Sequence, residues 1–148
     1  MGQGARRARR REALGRESLW QDRTTIEGKA SGADADIVAL APEDAVLYVG
    51  DATYAVITIN ISYRTSHGTT TYPAVEIQIA PTRGGTWSLV GTAKSGTGDS
   101  TIMLAREPAS GSTALRMDGA WLRWCVRQPA TADTETFRIT FQTTAVLS

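Results

Sequence analysis

Cysteine and histidine are almost missing: the chain of 148 residues holds one of each. A single Cys excludes an internal disulfide framework, and one Cys with one His is too few for a zinc site built on these ligands. No apolar run approaches the roughly 18 residues needed to span a bilayer as a helix. Charged residues make up 21% and hydrophobic residues 41%, a balance that suits a packed domain and excludes a disordered, low-hydrophobicity chain. The length corresponds to one domain. What is abundant is threonine, at twenty residues. β-Branched hydroxyl side chains suit the solvent face of a sheet.

The formal charge of +1 hides an asymmetry. Arg6, Arg7, Arg9, Arg10 and Arg11 crowd the start of the chain, and residues 1–23 form a basic arm ahead of a mildly acidic body, residues 24–148. The stretch after the arginines carries Glu12, Arg16, Glu17, Gln21, Asp22 and Arg23, so it lacks the apolar segment of an export signal. Arg6 stands where a myristoylation signal has Ser or Thr. Three readings of the arm stay open. It is a solvated tail, a nucleic-acid arm whose guanidinium groups neutralise phosphates, or a docking arm that orders against an acidic partner. Residues 5–22 have helix-forming composition interrupted by Gly15, and Leu19 and Trp20 are candidate anchors for a partner's groove.

From residue 24 onward the hydrophobic period is two. Ala55, Ile57, Ile59, Ile61 and Tyr63 alternate with Thr58, Asn60, Ser62 and Arg64, which predicts a half-buried strand. The same pattern predicts strands over 74–80, 121–127 and 136–143, with Val75, Ile77, Leu122, Trp124, Phe137 and Phe141 facing inward. Weaker strands are expected over 36–40, 45–49, 86–91, 101–105 and 113–117, where Trp87 shares an inward phase with Leu89. Turn residues separate these runs, as at Gly50-Asp51, Gly84-Gly85 and Asp118-Gly119. Short strands with regular turns and no helical period give an all-β, antiparallel β-sandwich or jelly-roll-like domain behind an Arg-rich N-terminal arm.

No catalytic constellation is legible. His67 sits in a Ser66-His67-Gly68 turn with no companion nucleophile. Cys125 alternates outward between Arg123 and Arg127, whose charge could lower a thiol pKa, but no His lies near it in sequence and a filler cysteine at a sheet or subunit contact is the favoured reading. Asp34 and Asp36 open like a calcium loop whose ligand pattern does not continue. The loop from Ser95 to Ser100 lacks the Gly-Lys-Ser/Thr ending of a nucleotide loop and reads as a hairpin. Expected catalytic, cofactor and metal residues are therefore none. A binding surface is expected instead at Trp121, Arg123 and Arg127, because Trp and Arg are enriched among interface hot spots. One exposed aromatic, Trp121, is a poor platform for a sugar.

Gly85-Thr86-Trp87-Ser88-Leu89-Val90-Gly91, then Asp118-Gly119-Ala120-Trp121-Leu122-Arg123-Trp124, then the Thr-rich run 134–144, resemble small β-sandwich virion proteins of tailed bacteriophages. The resemblance implies a non-enzymatic structural protein of the decoration or cement type, which stabilises a phage head by binding the major capsid protein lattice. It also implies a homo-oligomer, with a trimer favoured, that assembles in the host cytoplasm and resides in the virion without a membrane partner. Alternatives are a neck, adaptor or tail-fibre component, a small jelly-roll coat protein whose Arg arm binds nucleic acid, and a carbohydrate-binding module.

Overall fold

A computed structural model describes residues 17–29, 37–66, 72–128 and 136–148. The strands are β1 (Glu17–Lys29), β2 (Ile37–Leu40), β3 (Leu47–Tyr48), β4 (Tyr54–Ser66) and β5 (Ala74–Ala80). They continue with β6 (Ser88–Lys94), β7 (Gly98–Ala105), β8 (Leu115–Arg116), β9 (Trp121–Arg127) and β10 (Thr136–Leu147). One turn of 3-10 helix, Glu43–Ala45, precedes β3.

Two sheets carry the order β1-β10-β4-β7-β8 and β2-β9-β5-β6, with β3 also on β9. Every pairing is antiparallel except β7 with β8. Without the two-residue strands β3 and β8, each sheet has four strands and the chain winds between them as two Greek keys. That connectivity is a jelly roll. The loop between β6 and β7 accordingly crosses from one sheet to the other and is not the hairpin expected there.

The core lies between the sheets. Ala55, Ile57, Ile59 and Ile61 of β4 face Val75 and Ile77 of β5 and Leu122, Trp124 and Val126 of β9, all buried. The Trp124 ring meets Phe141 edge-on, with centroids 5.1 Å apart, a favoured aromatic geometry. Burial of this alternating set supplies the main driving force for the sandwich.

Three sequence expectations are corrected. Tyr63 is half exposed, not inward with the isoleucines. A bulge between the Phe141–Ile61 and Thr140–Tyr63 pairs inserts Ser62 and shifts the alternation by one residue. Second, residues 17–22 are not helical. They begin β1, which crosses the boundary placed after residue 23 and pairs with β10 from Glu17↔Val146 to Lys29↔Thr136. Third, Trp20 is no free anchor: its half-buried ring packs on the core and its Nε1–H donates to the Ala45 carbonyl. Leu19 lies in β1 opposite Thr144. Arg6, Arg7, Arg9, Arg10 and Arg11 lie outside the described residues, as do Asp34, Asp36 and His67.

One residue with no sequence signal holds the loops at the end where β1 begins and β10 ends. The Arg106 guanidinium donates to the carbonyls of Met117 (3.0 Å), Gly119 (2.7 Å), Val49 (2.7 Å) and Ala52 (3.1 Å). A planar fork with five donors suits such a cluster of carbonyl oxygens.

Candidate functional site

The outer face of the β2-β9-β5-β6 sheet collects the residues that sequence reasoning singled out after the arm. Alternation turns Leu122, Trp124 and Val126 into the core, so Trp121, Arg123, Cys125 and Arg127 of β9 face outward. The β5–β9 register sets Cys125 against Glu76, Arg123 against Gln78 and Trp121 against Ala80. Gly119 makes the close approach of the preceding turn feasible: a Cβ there would lie 2.6 Å from the Ala80 carbonyl oxygen. Ala120 N donates to that same oxygen at 3.0 Å, which seats Trp121 beside the end of β5.

These side chains form one belt. Arg127 grips Glu76 through two bonds, Nε to Oε2 at 2.7 Å and Nη2 to Oε1 at 2.9 Å, the strong bidentate geometry of a guanidinium–carboxylate pair. Gln78 Nε2 and Cys125 Sγ also donate to Glu76 Oε1, at 3.4 and 3.5 Å. Arg123 Nε donates to Gln78 Oε1 at 2.7 Å, and its guanidinium lies 4.4 Å from the Trp87 ring centre. At the far end Trp121 meets Tyr48 edge-on at 4.9 Å, with the Arg83 guanidinium 5.4 Å from the indole centre.

Only 4% of Glu76 is exposed. The Arg127 bond nevertheless holds its carboxyl below the ordinary value, outweighing the upward push of burial. Burial dominates at Cys125 instead: it pushes the thiol up to about 12, helped by the neighbouring Glu76 charge. The lowering that Arg123 and Arg127 could give is outweighed, because these weaker attractions act on a thiol already enclosed and facing a carboxylate. Burial also lowers the pKa of Arg123.

Trp121 is half-buried between Tyr48 and the Arg83 side, not the freely exposed ring expected. Trp87 and Leu89 are outward, opposite to the expected inward phase. Leu89 pairs with the outward Gln78, and Trp87 stacks on Arg123. Leu89 is 49% exposed, and Leu40, which pairs with Cys125 from the other side, is 48% exposed. Sequence reasoning missed Glu76, Gln78, Leu40 and Leu89. The outward phase of Glu76 and Gln78 was legible and that of Leu89 was read the wrong way round, and the partners that bring these residues together follow only from the register.

The belt is a rigid plate whose polar groups largely satisfy one another, framed by apolar side chains. Glu76 spends its oxygens on Arg127, Gln78 and Cys125, and the thiol stays protonated at neutral pH. Among the described residues no three His, Cys, Asp or Glu side chains gather as a metal cage, and no helix is long and apolar enough to cross a membrane.

No family model and no curated protein matches the chain. It is similar to a solved chain described by the words "Bacillus endospore appendages form a novel family of disulfide-linked pili", with a TM-score of 0.34 and 16% identity over 90% of this chain and 93% of that one.

Proposed function

We propose that the chain is a non-enzymatic structural protein of a virion, of the capsid decoration type, that docks on the major capsid protein or another virion protein. The observation that carries the reading is the belt just described. Arg127 and Glu76 cancel while Arg123 and Arg83 stay positive beside Trp87 and Trp121, and Leu40 and Leu89 stand half in solvent beside the belt. Tryptophan and arginine on a preorganised plate, with apolar residues ready to lose water, are the makings of an interface hot spot. The thiol of the plate, Cys125, is enclosed and held protonated beside Glu76, which supports a binding role over a nucleophilic one.

The test is cosedimentation of the full chain with empty phage-type shells. The expected result is saturable binding that Leu40→Asp with Leu89→Asp abolishes while the thermal melt stays unchanged. Absence of binding, or binding indifferent to these substitutions, overturns the reading.

A second reading is favoured by the strand order. Jelly rolls build viral shells, and here the arginine-rich segment leads directly into the first strand of the roll. In that reading the chain is itself a coat protein and the arm binds packaged nucleic acid. Retention of nucleic acid that falls steeply with salt, and is lost when Arg6, Arg7, Arg9, Arg10 and Arg11 become Ser, would select it.

A further inference from the structure

We infer that the outer face of the β1-β10-β4-β7-β8 sheet binds a neutral polysaccharide chain, laid along β4 between Tyr63 and Tyr54. This face lies on the opposite side of the sandwich from the arginine belt, so it stays in solvent when the belt docks. Two exposed aromatic rings share it: Tyr54 is 56% exposed and Tyr63 49%. Alternation with the buried Ala55 turns Tyr54 outward, and the bulge at Ser62 does the same for Tyr63. Nine residues along β4 carry the chain from one ring to the other, roughly 27–30 Å with the bulge allowed for. That is the length of a short extended oligosaccharide.

The register fills the interval with polar side chains. Across β10, β4 and β7 the outward rows are Gln142–Asn60–Asp99 and Thr144–Thr58–Thr101. Beside Tyr63 the row is Thr25–Thr140, whose hydroxyls bond each other at 2.8 Å. Asp99 is exposed, and Asn60 Nδ2 donates to its Oδ1. A carboxylate has about four acceptor sites, so this bond orients Asp99 and leaves it capacity for ligand hydroxyls. Threonine hydroxyls and amides both donate and accept, as sugar hydroxyls do. Each tyrosine adds an apolar ring face for the C–H side of a sugar, with a hydroxyl at its rim.

At the Tyr63 end the face deepens. An open cleft of about 590 Å³ is lined by Glu27, Gly28, Thr65, Thr136, Phe137 and Arg138, a volume typical of small-ligand sites. A Cβ on Gly28 would lie 2.7 Å from the Phe137 ring, so the glycine lets that ring lie directly against β1. Glu27 and Arg138 pair at 2.6 Å and, with Thr65, form the row next to Tyr63. Carboxylate, guanidinium and hydroxyl beside an aromatic ring suit the end residue of a sugar chain.

Three observations select a slender hydroxylated chain over other occupants. Three strands by this length cover on the order of 400 Å², about half of what each partner gives to a standard stable protein interface. A peptide has no edge to join there, because β4 and β10 are each hydrogen-bonded to a strand on both sides, so recognition falls to side chains. Fixed charges at the margins come in both signs, Glu27 against Arg138 at one end and Glu17 and Arg116 at the other. They set up no field that draws a polyanion or a polycation. The jelly-roll frame is one that lectin domains also use.

The experiment is affinity electrophoresis of the full-length protein in native gels cast with hydroxyethylcellulose, xylan, galactomannan or dextran, with heparin as the polyanionic counterpart. Retardation by at least one neutral polysaccharide is expected. Tyr63→Ala and Tyr54→Ala should each weaken it about tenfold or more, with an unchanged thermal melt. Asn60→Ala with Asp99→Ala should weaken it too while leaving both rings in place. No shell takes part, and Leu40→Asp with Leu89→Asp on the opposite face should leave the retardation as in wild type, so the outcome is separate from that of the capsid reading. Retardation by none of the neutral polymers, by heparin alone, or indifferent to both tyrosine substitutions overturns the inference. Loss of retardation in the Leu40 and Leu89 variant would put the sugar on the belt and overturn it as well. Sensitivity to Tyr63→Ala without sensitivity to Tyr54→Ala overturns a chain that spans the face.

Discussion

Trp20→Ala separates a residue that builds the fold from one that waits for a partner. In the structure the indole is half-buried against the core and bonds the Ala45 carbonyl, so it links β1 to the segment before β3. Truncating a fully buried large aromatic costs about 3–5 kcal/mol, and half of that is appropriate to a half-buried ring. Loss of the indole bond adds roughly 1 kcal/mol. The sum is about 3 kcal/mol, which for a domain of this size lowers the melting temperature by roughly 6–12 °C. Urea denaturation followed by far-UV circular dichroism reads the change directly. Trp20→Phe should recover most of the packing and lose only the bond, about 1 kcal/mol. A loss below about 0.5 kcal/mol for Trp20→Ala, of the size of an ordinary surface substitution, would refute the reasoning and return Trp20 to the role of partner anchor. By the same logic, deleting residues 1–23 should destabilise the sandwich, because it removes Trp20 and seven residues of an edge strand.

Arg106→Met keeps the aliphatic stem but deprives four carbonyls of their donor; with partial rehydration of those groups the cost should be about 3–5 kcal/mol, and a loss under about 1 kcal/mol in urea melts would show that water replaces the guanidinium freely. The Glu76 carboxyl is lowered in the folded state by Arg127, so its contribution is full above the ordinary carboxylate range and fades as pH falls through and below it. The stability gap between wild type and Glu76→Gln should therefore shrink on acidification from neutral pH, and a gap that widens would contradict the assignment. Cys125 ionises near 12 in the fold and at about 8.5 when unfolded, so above the lower value the unfolded chain loses its proton first and stability falls as pH rises. Thiol labelling at mildly alkaline pH should be slow in the native protein and fast in urea; labelling of native protein at the free-thiol rate would mean that the outer belt opens readily.

The strands with strong alternation are legible in the residues alone. Ala55, Ile57, Ile59 and Ile61 face the core because strand geometry sends every second side chain to one side, and the hydrophobic effect selects which side. The same rule put Trp124 inside and Arg123, Cys125 and Arg127 outside, so much of the candidate face was readable along β9. Local pattern fails where a strand lacks alternation. Residues 17–23 read Glu-Ser-Leu-Trp-Gln-Asp-Arg, and their composition allows a helix; they form a strand because β10, more than a hundred residues away, offers its edge.

Tertiary structure alone decided the rest. Nothing around Tyr63 announces the bulge at Ser62, which exists in the pairing with β10 and turns that ring outward. Glu76 reads as an outward residue of a solvated strand, yet it is enclosed, because register places Arg127, Gln78 and Cys125 around its carboxylate. Cys125 is the clearest case. Its sequence neighbours are two cations that would lower its pKa, whereas its spatial neighbours are packed side chains and a carboxylate that raise it. Periodicity depends on one strand's geometry and is written locally; burial and electrostatics depend on which strands become neighbours, and only the assembled sheets set that.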